Sequence, residues 1–229
     1  MRVESPLKGW PPTRKLRGQA GFLVEARHLT PQRAKFTDAI GGLINLGGVV
    51  LFFWMLSAEA FVSGEEIFTA IAVIIGTCIV VWRSRRGWGR SFFGKTTIIE
   101  FTPDRIRIKG GMRFLNYDRS LPHEFNFEIH DKAQDEHDEE IATKRKAEME
   151  GKKELPKVEK YFRQSFHIIL RYAGQRVDVA SVFGKKHAEA LLVRLQLLDQ
   201  MMDAERGETG GAPVFTEADK QYGKRPEVG

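Results

Sequence analysis

From Ala39 to Ala58 the chain reads AIGGLINLGGVVLFFWMLSA, 20 residues without a formal charge. At the α-helical rise such a run is about 30 Å long, the thickness of a bilayer's hydrocarbon core. Asn45 is its one strongly polar side chain. A core helix of a water-soluble protein normally keeps a polar face, and this segment has none, so it reads as a transmembrane helix. A second run, IFTAIAVIIGTCIVVW from Ile67 to Trp82, has 16 residues, about 24 Å of helix. It is short for a span, but with Trp82 at the interface it crosses with little tilt or with local thinning of the bilayer. Its pairing with the first run makes it the second span.

Charge sets the expected orientation. Eight Lys or Arg precede Ala39, namely Arg2, Lys8, Arg14, Lys15, Arg17, Arg27, Arg33 and Lys35, and Arg83, Arg85, Arg86, Arg90 and Lys95 follow the second run. The short connection between the runs carries Glu59, Glu65 and Glu66 and no cation. Cytoplasmic flanks are the ones enriched in Lys and Arg, so a multi-pass hairpin with both termini in the cytoplasm is expected. The first 38 residues lack the compact apolar core of a cleavable leader, and the first apolar run is read as a permanent anchor. The mean hydropathy of -0.33 averages over an apolar segment and a polar remainder and describes neither. Cys78 is the single cysteine, so no intrachain disulfide and no Cys-based zinc site is available.

Within the two runs, Gly41 and Gly48 share a helix face, Ala72 and Gly76 form a small-xxx-small step, and Asn45 can hydrogen-bond across a helix contact. Small residues let helix backbones approach closely in membranes, and these five are expected to pack the hairpin. The segment WRSRRGWGRSFFGK, residues 82–95, interleaves cations with aromatics. Such a composition suits single-stranded nucleic acid, but directly after a span it reads as a headgroup-level boundary. Trp82, Arg83, Arg85, Arg86, Trp88, Arg90 and Lys95 are therefore candidates for the membrane interface and for anionic lipid, no specific nucleic acid is expected, and Gly87, Gly89 and Gly94 suggest a pliable joint.

After Lys95 the periodicity changes to two. TTIIEF, RIRIKGGMRF with a turn at Gly110-Gly111, FNFEI with Phe125, Phe127 and Ile129 alternating, SFHIILRY with Phe166, Ile168, Leu170 and Tyr172 alternating, and RVDVASVF after an AGQ turn imply at least five antiparallel strands. From Lys185 to Met202 the positions Ala188, Leu191, Leu192, Leu195, Leu198 and Met202 trace one helix face, expected to cover the β-structure.

Two spans, then antiparallel strands closed by one amphipathic helix, resemble the membrane-anchored bacterial pleckstrin-homology-like proteins. The segments FTPDRIRIKGG, YDRSLP and ILRYAGQRVDVASVFGKKHAEALLVRLQ are similar to that family's strand, turn and closing-helix segments. The resemblance covers roughly Thr96 to Gln200 and implies an α+β membrane protein: a transmembrane helical hairpin followed by a cytoplasmic β-sandwich or barrel closed by a C-terminal helix. The expected divisions are a basic segment at 1–38, the hairpin at 39–82 with spans at 39–58 and 67–82, a linker at 83–95, the β-domain at 96–202 and a flexible tail at 203–229. A charged insertion at 131–160 has too few apolar residues for a core. Pairs such as Glu140 with Lys144 and Glu148 with Lys152 suggest an exposed or transient helix there, but the segment is read first as a solvated loop, with a docking arm for another protein as the alternative.

No constellation for catalysis stands out. His130, Asp131, Asp135, His137 and Asp138 are crowded but lack a rigid ligand spacing, and neither a metal nor a cofactor is expected. His123 and His167 read as structural or surface residues, and no phosphate loop or nucleophile elbow is present. Lys185 and Lys186 stand where a helix begins and are candidates for binding an anion or an acidic partner. The expectation is a non-enzymatic inner-membrane scaffold or assembly protein that presents its β-domain to a protein partner or to a second copy. The alternatives are a module that binds or senses anionic lipid and a component of an oligomeric transporter or secretion system.

Overall fold

The computed structural model describes residues 5–57, 64–110, 113–151 and 160–205. It is α+β, and its elements run in the order β1 (Thr13–Lys15), β2 (Phe22–His28), α1 (Pro31–Ser57), α2 (Gly64–Phe93), β3 (Lys95–Phe101), β4 (Arg105–Gly110), β5 (Arg113–Asp118), β6 (His123–Ile129), α3 (Ala133–Met149), β7 (Ser165–Tyr172), β8 (Gln175–Phe183) and α4 (Lys185–Glu205). The chain divides into two compact units, residues 1–26 with 96–229, and residues 27–95.

The first unit is built from strands and α4. β1 to β5 form one antiparallel sheet in sequence order, and β6, β7 and β8 form a second. The two do not join into a closed barrel, so the barrel form of the expectation is not what the strands adopt. Alternation decides which side chains face inward. Ile99 stands opposite Ile108 and Phe101 opposite Ile106, and all four are buried with Val24, Ala26, Phe125, Ile168 and Leu170. On α4 the six positions of the apolar face are buried in the same core, and that helix packs on β6, β7 and β8. Ile129, the last of the alternating trio on β6, instead stays exposed. The turn between β7 and β8 puts Ala173 and Gly174 at positive φ, as the tight turns that match strand twist require.

Two features of this unit depart from the sequence reading. Residues 13–28 are not merely a basic segment, because β1 and β2 extend the sheet beside β3. The strands are short and Gly21 interrupts their pattern, which hides them. Gly21 has φ +143° and a side chain there would start 2.2 Å from the Phe101 carbonyl oxygen, so only glycine permits this approach of the chain to β3. The charged insertion contains a 17-residue helix, α3, and not a solvated loop over its whole length.

The second unit is a helical hairpin. α1 has 27 residues and α2 has 30, about 40 and 45 Å. Among the described residues, one helix is long and apolar enough to cross a membrane, within Pro31–Trp54, and the apolar part of α2, Glu66–Val81, is shorter. α2 runs unbroken through Gly87 and Gly89 to Phe93, so the expected pliable joint is helix. The reason lies at Gly89. A Cβ there would lie 2.2 Å from Thr37 Cγ2, which makes Gly89 a position where α1 and α2 pack too closely for any side chain, a packing role rather than a hinge.

Candidate functional site

The basic end of the hairpin gathers the N-terminal turns of α1 and the last turns of α2. Arg33 donates from Nη1 to the Phe93 carbonyl at 2.8 Å, supplying a partner to one of the carbonyls that a helix C-terminus leaves unsatisfied. Phe36 stands edge-on to Phe93 with centroids 5.3 Å apart, and Trp88 meets the same ring at 6.3 Å. Trp88 Nε1 also donates to the Val81 carbonyl at 3.4 Å. Thr37 turns its hydroxyl back to the Arg33 carbonyl at 2.7 Å, which leaves its methyl against Gly89. At the end of α2, Gly94 lies where any Cβ would meet the Arg27 side chain at 2.8 Å.

This framework holds cations outward. Arg27, Arg33, Lys35 and Lys95 are exposed and Arg90 is half-buried. Among the described residues none of the five has a carboxylate partner. Burial lowers the pKa of Arg90, yet a guanidinium stays charged at neutral pH. Between these cations, Phe36 is 54% exposed and Phe92 75% exposed. Trp82, Arg83, Arg85 and Arg86 belong to α2, but their side chains lie outside the described residues. The collar thus unites part of the predicted interface set, and it adds Arg27, Arg33, Lys35 and Phe36 from before the first span.

The residues assigned to hairpin packing divide. Gly41 is buried, and a Cβ on Gly48 would lie 3.8 Å from Cys78 Sγ, an ordinary contact. Asn45 is half-buried, and its Oδ1 has no hydrogen-bond partner among the described residues, so the expected bond across the helices is not made by that atom. Ala72 and Gly76 are exposed, with nothing within 4 Å of a Cβ at Gly76. Their small-xxx-small step therefore faces away from α1. The face of α2 that meets α1 carries Ile67, Ile71, Ile74, Cys78 and Val81, all half-buried.

In the first unit the polar side chains serve as clamps. Arg119, between β5 and β6, has a fully buried side chain; Nη2 donates to the main-chain carbonyl of Asp199 at 2.8 Å and pairs with the carboxylates of Asp199 and Asp203. His123 offers Nδ1 to the Leu121 carbonyl at 2.8 Å and Nε2 to Asp199 Oδ1 at 3.1 Å. The bond to Asp199 is the main cause of its raised pKa. These contacts fasten the C-terminal turns of α4.

A second clamp fixes α3. One oxygen of the Glu136 carboxylate accepts the backbone N–H of Tyr161 at 2.7 Å and of Phe162 at 3.1 Å, and the other accepts that of Arg163 at 2.8 Å. Glu140 lies 2.8 Å from Lys144, 3.0 Å from Lys160 and 2.7 Å from Arg163. Hydrogen bonds from Lys144 and Lys160 lower its pKa to about 2. Glu148 is in α3, while its suggested partner Lys152 lies outside the described residues. At the root of α3, His130 stacks on His167 with centroids 4.3 Å apart, and burial followed by the neighbouring His167 lowers its pKa.

Lys185 and Lys186 are both exposed at the start of α4, and Lys185 Nζ stands 3.6 Å from Glu189. No group of three or more His, Cys, Asp or Glu suited to a metal ion occurs among the described residues. An open groove near Thr102, Asp104 and Arg105 includes Arg107, whose guanidinium is already engaged by Glu100 at 2.6 Å and Asn116 at 3.1 Å. At the basic and aromatic end of the hairpin, cations without a carboxylate partner among the described residues coincide with exposed rings. Compared with known proteins, the chain matches no family model, no curated protein and no solved structure.

Proposed function

We propose that this chain is a non-enzymatic inner-membrane scaffold, anchored by a two-span hairpin with both termini in the cytoplasm, whose β-domain binds a protein partner. One observation carries the anchor. The 18-residue apolar window of α1 is only 11% buried, and Leu43, Leu46, Val50, Phe53 and Trp54 on α1 stand exposed with Phe68, Val73, Ile79 and Val80 on α2. A core helix of a soluble protein covers such residues; a hairpin that leaves them bare on both helices needs an apolar solvent. The second helix crosses with it, its shorter apolar stretch helped by the interfacial residues that follow. The excess of Lys and Arg at the end holding Arg33 and Arg90 supports the cytoplasmic orientation.

The binding role is supported by the first unit. Two antiparallel sheets with a C-terminal helix suit a pleckstrin-homology-like domain, and that fold name assigns no ligand. On its surface Leu197 and Met201, one turn apart on α4, are 47% and 41% exposed. The test is site-specific photo-crosslinking in native membranes from position 197 or 201, combined with thiol labelling from each side of the membrane. A discrete protein adduct from those positions is expected, together with labelling of a Ser57→Cys variant from the non-cytoplasmic side only. Adducts indistinguishable from those of an exposed control position, or labelling of that cysteine from the cytoplasm, would overturn the reading.

A further inference from the structure

We infer that the basic end of the hairpin is a binding surface for anionic phospholipid headgroups, formed by Arg27, Arg33, Lys35, Arg90 and Lys95 around the exposed rings of Phe36 and Phe92. The inference rests on the membrane-anchored reading and adds a lipid class to it. Its first ground is charge. Five cations from two helix ends and the adjoining strand residues lack a carboxylate partner among the described residues. Cations placed together repel one another unless an outside anion neutralises them.

The second ground selects the source of that anion. Phe92 is largely bare, and Phe36, which meets Phe93 edge-on, still leaves half of its surface exposed next to Lys35. Water-exposed phenyl rings gain nothing from a soluble phosphate. They do gain from the boundary where acyl chains meet headgroups, the level at which aromatic residues collect on membrane proteins. Along α1 the chain runs from Arg33 and Lys35 through Phe36 into exposed Leu43 and Leu46, so cations, ring and apolar surface follow one another in the order of a leaflet's layers.

The third ground is rigidity. Arg33 is bonded to the Phe93 carbonyl, and Gly89 closes on Thr37. The two helix ends are therefore fastened to each other and do not carry the cations on a loose linker. Lys and Arg near an anionic leaflet each add to its attraction, an effect that salt weakens.

The full chain is reconstituted in nanodiscs containing phosphatidylcholine and phosphatidylglycerol, and the lipid retained on brief detergent extraction is measured by mass spectrometry. Wild type is expected to enrich phosphatidylglycerol, and the quadruple variant Arg27→Gln, Lys35→Gln, Arg90→Gln, Lys95→Gln to lose about tenfold of that enrichment. Arg33 is kept because it caps α2. The charge-preserving set Arg27→Lys, Lys35→Arg, Arg90→Lys, Lys95→Arg should retain the enrichment, and high salt during extraction should reduce it in wild type. Equal retention of both lipids by wild type, or undiminished enrichment in the Gln variant, overturns the proposal. So does displacement of phosphatidylglycerol by glycerol phosphate or by a short single-stranded RNA at equal charge concentration. Resistance of every variant to alkaline carbonate extraction from membranes is scored separately: its loss in wild type refutes the anchor, and its persistence with loss of lipid selectivity confines the effect to the collar.

Discussion

Both ring nitrogens of His123 face oxygen acceptors, the Leu121 carbonyl and the Asp199 carboxylate. An imidazole can donate to both at once only when it is protonated, which is the physical sense of its raised pKa. A raised value in the folded state means that the contribution to stability is fully present below the unfolded value of about 6.5 and is lost as pH rises through the higher folded value. Charge-assisted bonds of this kind contribute about 1.5–3 kcal/mol. The expectation is that the last turns of α4 become more open to protease as pH rises above about 6.5, and that His123→Gln abolishes most of this dependence. A pH profile unchanged in the variant would assign the effect elsewhere. Sequence reading placed His123 among structural or surface residues, and nothing in its spacing pointed to Asp199, 76 residues away. Glu136 was equally hidden, because its partners are backbone N–H groups and leave no side-chain pattern. The pair Glu140 and Lys144, by contrast, follows helical spacing and does form.

At the scale of the element, uncharged apolar runs showed the hairpin helices and apolar periodicity the face of α4, but the runs did not show which side of a helix meets its neighbour. In α2 almost every residue from Ile67 to Val81 is apolar, so no amphipathic contrast marks the contact face. Small-residue spacing then favoured Ala72 and Gly76, and the contact instead uses the row through Ile74 and Cys78. Gly48 lies against Cys78 while Gly76 has open space around it, which gives a direct check. In a Gly48→Cys variant, mild oxidation should link the new thiol to native Cys78 within one chain and protect both from alkylation. A Gly76→Cys variant should form no intrachain link. Adding Gly89→Leu to Gly48→Cys should sharply lower the yield, since any side chain at 89 collides with Thr37 and parts the helices. Intrachain linkage at 76, or none at 48, would mean that the helices meet on another face.

Across the whole molecule, the β-domain is discontinuous in sequence. The chain contributes β1 and β2, makes α1 and α2, and returns as β3 beside β2. Periodicity after Lys95 was strong enough to imply at least five of the six strands there, whereas β1 has only three residues and β2 follows a glycine at positive φ, too little pattern to separate from a basic tail. Val24 and Ala26 are nonetheless fully buried in the core shared by Phe101, Leu191 and Met202. Removing β2 exposes those neighbours, forfeits about 1.5–3 kcal/mol for the valine alone, and turns β3 into a bare edge prone to pairing with other chains. A fragment of residues 96–205 should therefore aggregate or unfold at much lower denaturant. The same fragment preceded by residues 10–28 through a flexible linker, without the hairpin, should be monomeric and unfold in one transition. The linker leaves β2 free to occupy its place beside β3, and substituting Val24→Asp within the fused version should return it to the behaviour of the shorter fragment. Equal midpoints for the short and fused fragments would show that residues 96–205 hold their core unaided, and that the first strands only decorate the sheet.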